Sequence, residues 1–223
     1  MLGEEVSVIR AVIFDMDGLL VDSEPVWFEA RRELLSRFGR GWTTADQERL
    51  MGVKTSTWVE YLGDKLDGAM PPDEVLNTIV GIMAASYERG DVPVLPGASE
   101  ALEHCVGRYR VGLASGSPRL LIDAALTGAH WDRYFEDVVS SDECAKGKPA
   151  PDVYLEIMRR MDLSPETTAV VEDSPAGILA GKAAGARVVA VPRGYTPPDD
   201  PAVRDADARI ASLHELPETL EAM

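Results

Sequence analysis

Asp15 and Asp17, one residue apart in VIFDMDG (12–18), close an apolar run and precede a glycine. Along an extended strand end, residues i and i+2 project to the same side, so both carboxylates can face one reaction centre. In that arrangement Asp15 can act as a nucleophile and Asp17 as a proton donor, a divalent cation offsetting the repulsion between them. A strand end followed by acidic turn residues writes the same short pattern. Three further segments bear on the choice.

Ser115, in LASGSP (113–118), is followed by Gly116, Ser117 and Pro118. Its hydroxyl can donate to a phosphoryl oxygen, and a helix opening at Pro118 would aim backbone N–H groups at the same anion. The same residues also suit a turn, with Ser117 capping the helix. Lys148, in KGKPAPD (146–152), offers a positive charge able to stabilise a nucleophilic carboxylate and a phosphoryl group in transfer; Gly147 and Pro149 frame it in a stiff loop. A lone lysine is more often simply solvated. Glu172 and Asp173, ending VVED (170–173), can complete an oxygen set for a hard cation, with Asp15 and the Asp17 main-chain carbonyl. A helix start favouring acids accounts for one of them without the others.

These residues need strands to hold them. VIRAVIFD (8–15) reads as a short buried strand, and further candidates lie at 109–115, 137–141, 168–173, 187–192 and 208–212. Helical stretches near 98–106, 118–128, 151–161 and 175–185 alternate with them, which implies right-handed crossovers and a parallel sheet. In such sheets ligands sit beyond the carboxyl ends of the strands, where all four segments fall. Residues 25–91 differ. Trp27, Ala30, Leu34 and Phe38 form one helical stripe, Trp58, Leu62 and Leu66 a second, and Val75, Ile79 and Met83 a third, while Thr44 and Gln47 resemble a capping box. The expected fold class is therefore α/β, a Rossmann-like parallel sheet with a helical insert after its first strand.

Composition narrows the function. A net charge of −16 disfavours nucleic acid, since no basic field is present to meet phosphates. An anionic small molecule remains compatible if a few cations converge, which directs attention to Lys54, Lys146, Lys148, Arg119 and Arg193. No apolar run approaches the ~20 residues of a membrane span. The first ten residues are acidic and lack a long apolar stretch, so a secretory signal is not expected and a cytoplasmic location is. Cys105 and Cys144 lack metal or disulfide spacing and read as reduced thiols.

The ordered set FDMDG, LASGS, GKPAPD and VVEDS resembles the haloacid dehalogenase superfamily, and the helical insert after the first motif is similar to the subclass related to β-phosphoglucomutase and small sugar phosphatases. The resemblance implies a core at 1–24 and 92–223 with a helical cap at 25–91. It implies Asp15 as nucleophile, Asp17 as general acid and base, Ser115 with Gly116 as phosphate contacts, and Lys148 as charge stabiliser. Asp15, Asp17, Glu172 and Asp173 would form a Mg²⁺ site, Glu172 directly or through water. The partner implied is a small-molecule phosphate ester, without nucleic acid or membrane, for a monomer or homodimer.

Within that family, Asp17 separates this chain from dehalogenases, which lack the second acid, and from phosphonoacetaldehyde hydrolases, which use a cap lysine as a Schiff base. β-Phosphoglucomutases carry a histidine early in the first cap helix and an arginine in a cap loop; here Trp27 and Thr55 stand in those places, with Lys54 adjacent. The expected activity is accordingly a Mg²⁺-dependent phosphatase of a sugar or polyol phosphate, with phosphomutase as the alternative. A receiver-like signalling protein or a silent binder is less compatible with the cap and with four complete motifs. Glu24 and Lys54 are the cap-side candidates for substrate contact, each equally readable as a helix-start acid and a solvated lysine.

Overall fold

The computed structural model describes residues 8–50, 53–194 and 196–223. The leading residues 1–7, part of the stretch expected to carry no secretory signal, lie outside it.

The strands are β1 (Ala11–Phe14), β2 (Arg110–Ser115), β3 (Asp137–Ser140), β4 (Thr168–Glu172), β5 (Arg187–Ala190) and β6 (Ala208–Arg209). They form a sheet of order β3-β2-β1-β4-β5-β6 in which every pairing is parallel. Each strand lies where expected, and each is trimmed by a residue or more at the ends. β1 is central, and the chain leaves it toward β2 on one side and returns to β4 on the other. That reversal opens a crevice at the carboxyl edge.

Residue parity sorts the two faces. Val12, Phe14, Leu113 and Val171 belong to one buried cluster, and Ile13, Ala114, Val170 and Val188 to another. Side chains alternate across a strand, so each strand feeds both layers, and each fully buried large aliphatic contributes about 1.5–3 kcal/mol.

Between β1 and β2 run α1 (Glu24–Ser36), α2 (Thr44–Arg49), α3 (Thr55–Lys65) and α4 (Pro72–Arg89). Their apolar stripes, including Trp27, Leu34, Trp58, Leu62 and Ile79, join the same cluster as the first sheet face. Two local expectations change. α1 ends at Ser36, so Phe38 falls beyond the stripe and is 38% exposed, while Leu35 is buried instead. The capping box is one residue earlier than Thr44 and Gln47: Thr43 accepts from the Asp46 N–H, and the Asp46 carboxylate accepts from the Thr43 N–H. Gln47 is thereby released to point inward.

After α5 (Ala98–Cys105), the helices α6 (Arg119–Gly128), α7 (Asp152–Arg160), α8 (Pro175–Ala183), α9 (Pro201–Asp205) and α10 (Leu216–Ala222) complete the chain. No described helix is long and apolar enough to cross a membrane. Both cysteines are free, and burial pushes the Cys105 thiol up to about 12.

Candidate active site

The register of the three central strands builds the floor of the crevice. Phe14 pairs with Leu113 on one side and Val171 on the other, so the next rung brings together Asp15, Ala114 and Glu172. All three accept from Lys148 Nζ: Asp15 Oδ1 at 2.6 Å, Glu172 Oε1 at 2.6 Å and the Ala114 carbonyl at 3.2 Å. Parity explains the meeting, because Asp15 and Glu172 continue the face that packs on α7, and Lys148 lies in the loop entering α7. Lys148 is 8% exposed, contrary to the solvated alternative. Burial alone would lower its pKa, but the two carboxylates raise it well above the usual lysine range.

Glu172 is fully enclosed and saturated. Oε1 also accepts from the Tyr154 hydroxyl, and Oε2 accepts from the N–H groups of Asp173 and Ser174 and from Ser174 Oγ. Ser174 caps α8 through the Gly177 N–H. Gly177 has to be a glycine, since a Cβ there would lie 1.6 Å from Glu172 Oε1.

Asp17 is held by hydroxyls. Ser23 Oγ donates to Oδ1 at 2.6 Å, while Ser117 Oγ and Ser115 Oγ donate to Oδ2 at 2.7 and 3.1 Å. Two expectations are revised here. Ser117 does not cap α6, which starts from Pro118 without a side-chain cap. Ser115 is fully buried, its oxygen lying between Asp17 and the Ser117 N–H, so Gly116 and Ser117 line the cavity in its stead.

A cavity of ≈ 70 Å³ lies over this floor, bounded below by Asp15, Asp17, Gly116, Ser117, Lys148 and Asp173. Its roof comes from Glu24 and from the insert: Trp27, Arg31, Leu50, Val53 and Trp58. Glu24 is thus where a substrate contact was expected; burial raises its pKa, and its Oε2 accepts from Gln47 Nε2 at 2.6 Å. Lys54 is not in the cavity. Its ammonium donates to the carbonyls of Cys144 (3.0 Å) and Ala145 (3.5 Å), fastening the insert to the loop before Lys148. Arg119 pairs with Asp123 on the surface. Trp27, expected in the insert's core, both packs there and roofs the cavity.

Arg31 went unrecognised in the sequence, as did its partner Gln47. Arg31 is 3% exposed, stacked over Trp27 with its guanidinium carbon 4.7 Å from the ring centroid. An arginine four residues after a tryptophan, inside an apolar helical stripe, is the signal that could have found it.

The donor set fits a hard divalent cation. Carboxylate oxygens of Asp15, Glu172 and Asp173 lie within 4.8 Å of one another, and Asp173 Oδ1 is buried without a hydrogen-bond partner. Burial, with help from neighbouring acids, pushes Asp15 up to about 8 and raises Asp173 well above the carboxylate range, a cost that a bound cation reverses. Glu172 already accepts five hydrogen bonds, so Asp15 and Asp173 are the better ligands.

A parallel α/β sheet whose switch-point crevice gathers paired acids, a buried lysine and an unpartnered aspartate defines a class of acid-centred α/β enzymes. The comparisons agree. The family model described as "Hydrolase: haloacid dehalogenase-like hydrolase" matches residues 9–185, and the chain belongs to that family. It is 33% identical over 212 residues to "Hexitol phosphatase B" of Escherichia coli (strain K12), covering 93% of this chain and 94% of that one. It is 31% identical over 208 residues to the "Bifunctional riboflavin kinase/FMN phosphatase" of Arabidopsis thaliana, covering 92% of this chain but only 54% of that longer protein. Among solved structures, a "putative beta-phosphoglucomutase from Thermotoga maritima" superposes with a TM-score of 0.74 at 30% identity, covering 96% of this chain and all of that one.

Proposed function

We propose that this protein is a Mg²⁺-dependent phosphatase that hydrolyses a small sugar or polyol phosphate through an aspartyl phosphate on Asp15. The observation that carries the reading is the bridge from Lys148 to both Asp15 and Glu172 under a cavity that Asp17 and Asp173 share. The phosphatase names of the relatives from Escherichia coli and Arabidopsis support it.

Lys148 binds Asp15 Oδ1, leaving Oδ2 as the attacking oxygen. As the Oδ2–phosphorus bond forms, the ester P–O bond breaks and Asp17 gives a proton to the leaving oxygen. Asp17 then takes a proton from water, whose oxygen attacks phosphorus and frees Asp15. Ser117 and Gly116, which line the cavity, would meet the phosphoryl oxygens, and the Lys148 charge would stabilise them. Asp15 and Asp173 side chains with the Asp17 carbonyl would hold Mg²⁺, which supplies the positive charge that lets a carboxylate approach a phosphate dianion. Residues 25–91 act as a cap over the core formed by 1–24 and 92–223, excluding water from the crevice.

The test is release of inorganic phosphate from a panel of phosphorylated metabolites with Mg²⁺ and with a chelator. Turnover should require the metal, and Asp15→Asn should reduce kcat by at least about 10³-fold while circular dichroism shows the fold retained. Full activity in Asp15→Asn would eliminate the mechanism. The Thermotoga relative's name keeps phosphomutase as a second reading; isomerisation of a hexose phosphate without phosphate release would select it.

A further inference from the structure

The roof of the cavity carries two charged groups among the described residues, Glu24 and Arg31, and they are joined through one buried amide. Gln47 Nε2 donates to Glu24, while Gln47 Oε1 accepts from Arg31 Nη1 at 2.9 Å and from Trp42 Nε1 at 3.1 Å. Arg31 is further held against the rings of Trp27 and Trp42, at 4.7 and 5.7 Å. Its Nε, however, is buried without any partner. A guanidinium fixed on these sides is preorganised toward the cavity it lines, at the cost of one unpaired buried N–H.

Charge decides what kind of ligand. Four acids line the cavity (Asp15, Asp17, Glu24, Asp173) against two bases (Arg31, Lys148), an excess of two negative charges. One divalent cation cancels that excess, and the phosphate under attack restores it. No cation among the lining residues is then in surplus for a second anionic group. Arg31 beside Glu24 instead offers a donor and an acceptor at neighbouring points, with the Trp27 ring as an apolar wall. Adjacent hydroxyls on a carbon chain match that pattern.

We infer that Arg31, braced by Gln47 and Trp42, is a specificity-determining residue that reads the hydroxyls of an uncharged polyhydroxylated leaving group. The inference rests on the phosphatase reading and adds to it the neutral character of the leaving group and the residue that selects it.

The experiment compares kcat/KM with Mg²⁺ for three probes: a hexitol monophosphate, a sugar bisphosphate, and p-nitrophenyl phosphate, which has no hydroxyls to read. Wild-type enzyme should prefer the hexitol phosphate to the bisphosphate. Arg31→Met should lower kcat/KM for the hexitol phosphate by about 10- to 100-fold, the usual worth of a charged hydrogen bond, and leave the aryl phosphate within about threefold. Arg31→Lys, which keeps a donor and the charge, should recover part of the loss. Preference for the bisphosphate overturns the inference without any variant. Equal losses on both monoesters overturn it as well, because they assign Arg31 to folding or to the chemistry. Failure of the wild-type enzyme to release phosphate from any of the three probes overturns the phosphatase reading beneath it.

Discussion

Five donors converge on Glu172, from Lys148, Tyr154, the N–H groups of Asp173 and Ser174, and the Ser174 hydroxyl. A glutamine there cannot accept at both ends, so at least two donors must face an amide NH₂. Glu172→Gln should cost about 3 kcal/mol, toward the lower end for a broken buried ion pair, and lower Tm by roughly 6–12 °C in a chain of this size. A calorimetric Tm within a degree or two of wild type would contradict this account. Gly18 is constrained in a related way: its φ is +83° and a Cβ would lie 2.3 Å from Asp173 Oδ2. Gly18→Ala should therefore raise the Mg²⁺ concentration needed for half-maximal activity, measured by metal titration, and an unchanged titration would count against Asp173 as a ligand. The four motifs were legible because each is short and polar, three at strand ends and the fourth in the loop entering a helix. Arg31 and Gln47 were not, because a polar residue in an amphipathic stripe announces itself only when the partner turned toward it is known.

At the level of elements, the central rung at Asp15, Ala114 and Glu172 follows from strand pairing, and strand pairing follows from alternating and apolar runs that the sequence displays plainly. Helix starts were less legible, since Thr43 and Thr44 are both cap-forming residues and only one can precede the first turn. The choice matters for stability. Burial alone would raise the pKa of Asp46, but hydrogen bonds from Lys65, Tyr61 and Thr43 outweigh it and hold the carboxyl well below the usual range. A depressed folded-state pKa stabilises the protein above the unfolded value of ~3.9 and loses that contribution as pH falls. Asp46→Asn should accordingly lower stability by about 2 kcal/mol at pH 7, with the gap from wild type narrowing below about pH 4. Urea melts at both pH values would show it; a gap independent of pH would point to packing rather than charge.

On the scale of the molecule, the insert and one sheet face share a continuous apolar cluster, and two polar contacts fasten the cavity's rim. Besides Lys54 on the carbonyls of Cys144 and Ala145, Thr55 Oγ1 donates to Asp142 Oδ2 at 2.8 Å. The cavity's ≈ 70 Å³ admits only a handful of waters at ~10–15 Å³ each and is part open to solvent, so seating a substrate calls for movement at its rim. Thr55→Val should lower kcat/KM by about 3- to 10-fold, the effect of one net hydrogen bond on the closed arrangement, with Tm nearly unchanged. An unaltered kcat/KM would mean that closure does not depend on this contact. That the insert would lie over the crevice was foreseeable from its position in the chain. Which residues fasten it was not, because Lys54 and Cys144 are 90 positions apart and no local pattern links them.

The carbonyls gripped by Lys54 belong to the same short loop that delivers Lys148 to Asp15 and Glu172. Swinging the insert outward would slacken that loop and with it the seat of the buried ammonium. Such coupling would make the insert's posture govern how firmly the two carboxylates are clamped.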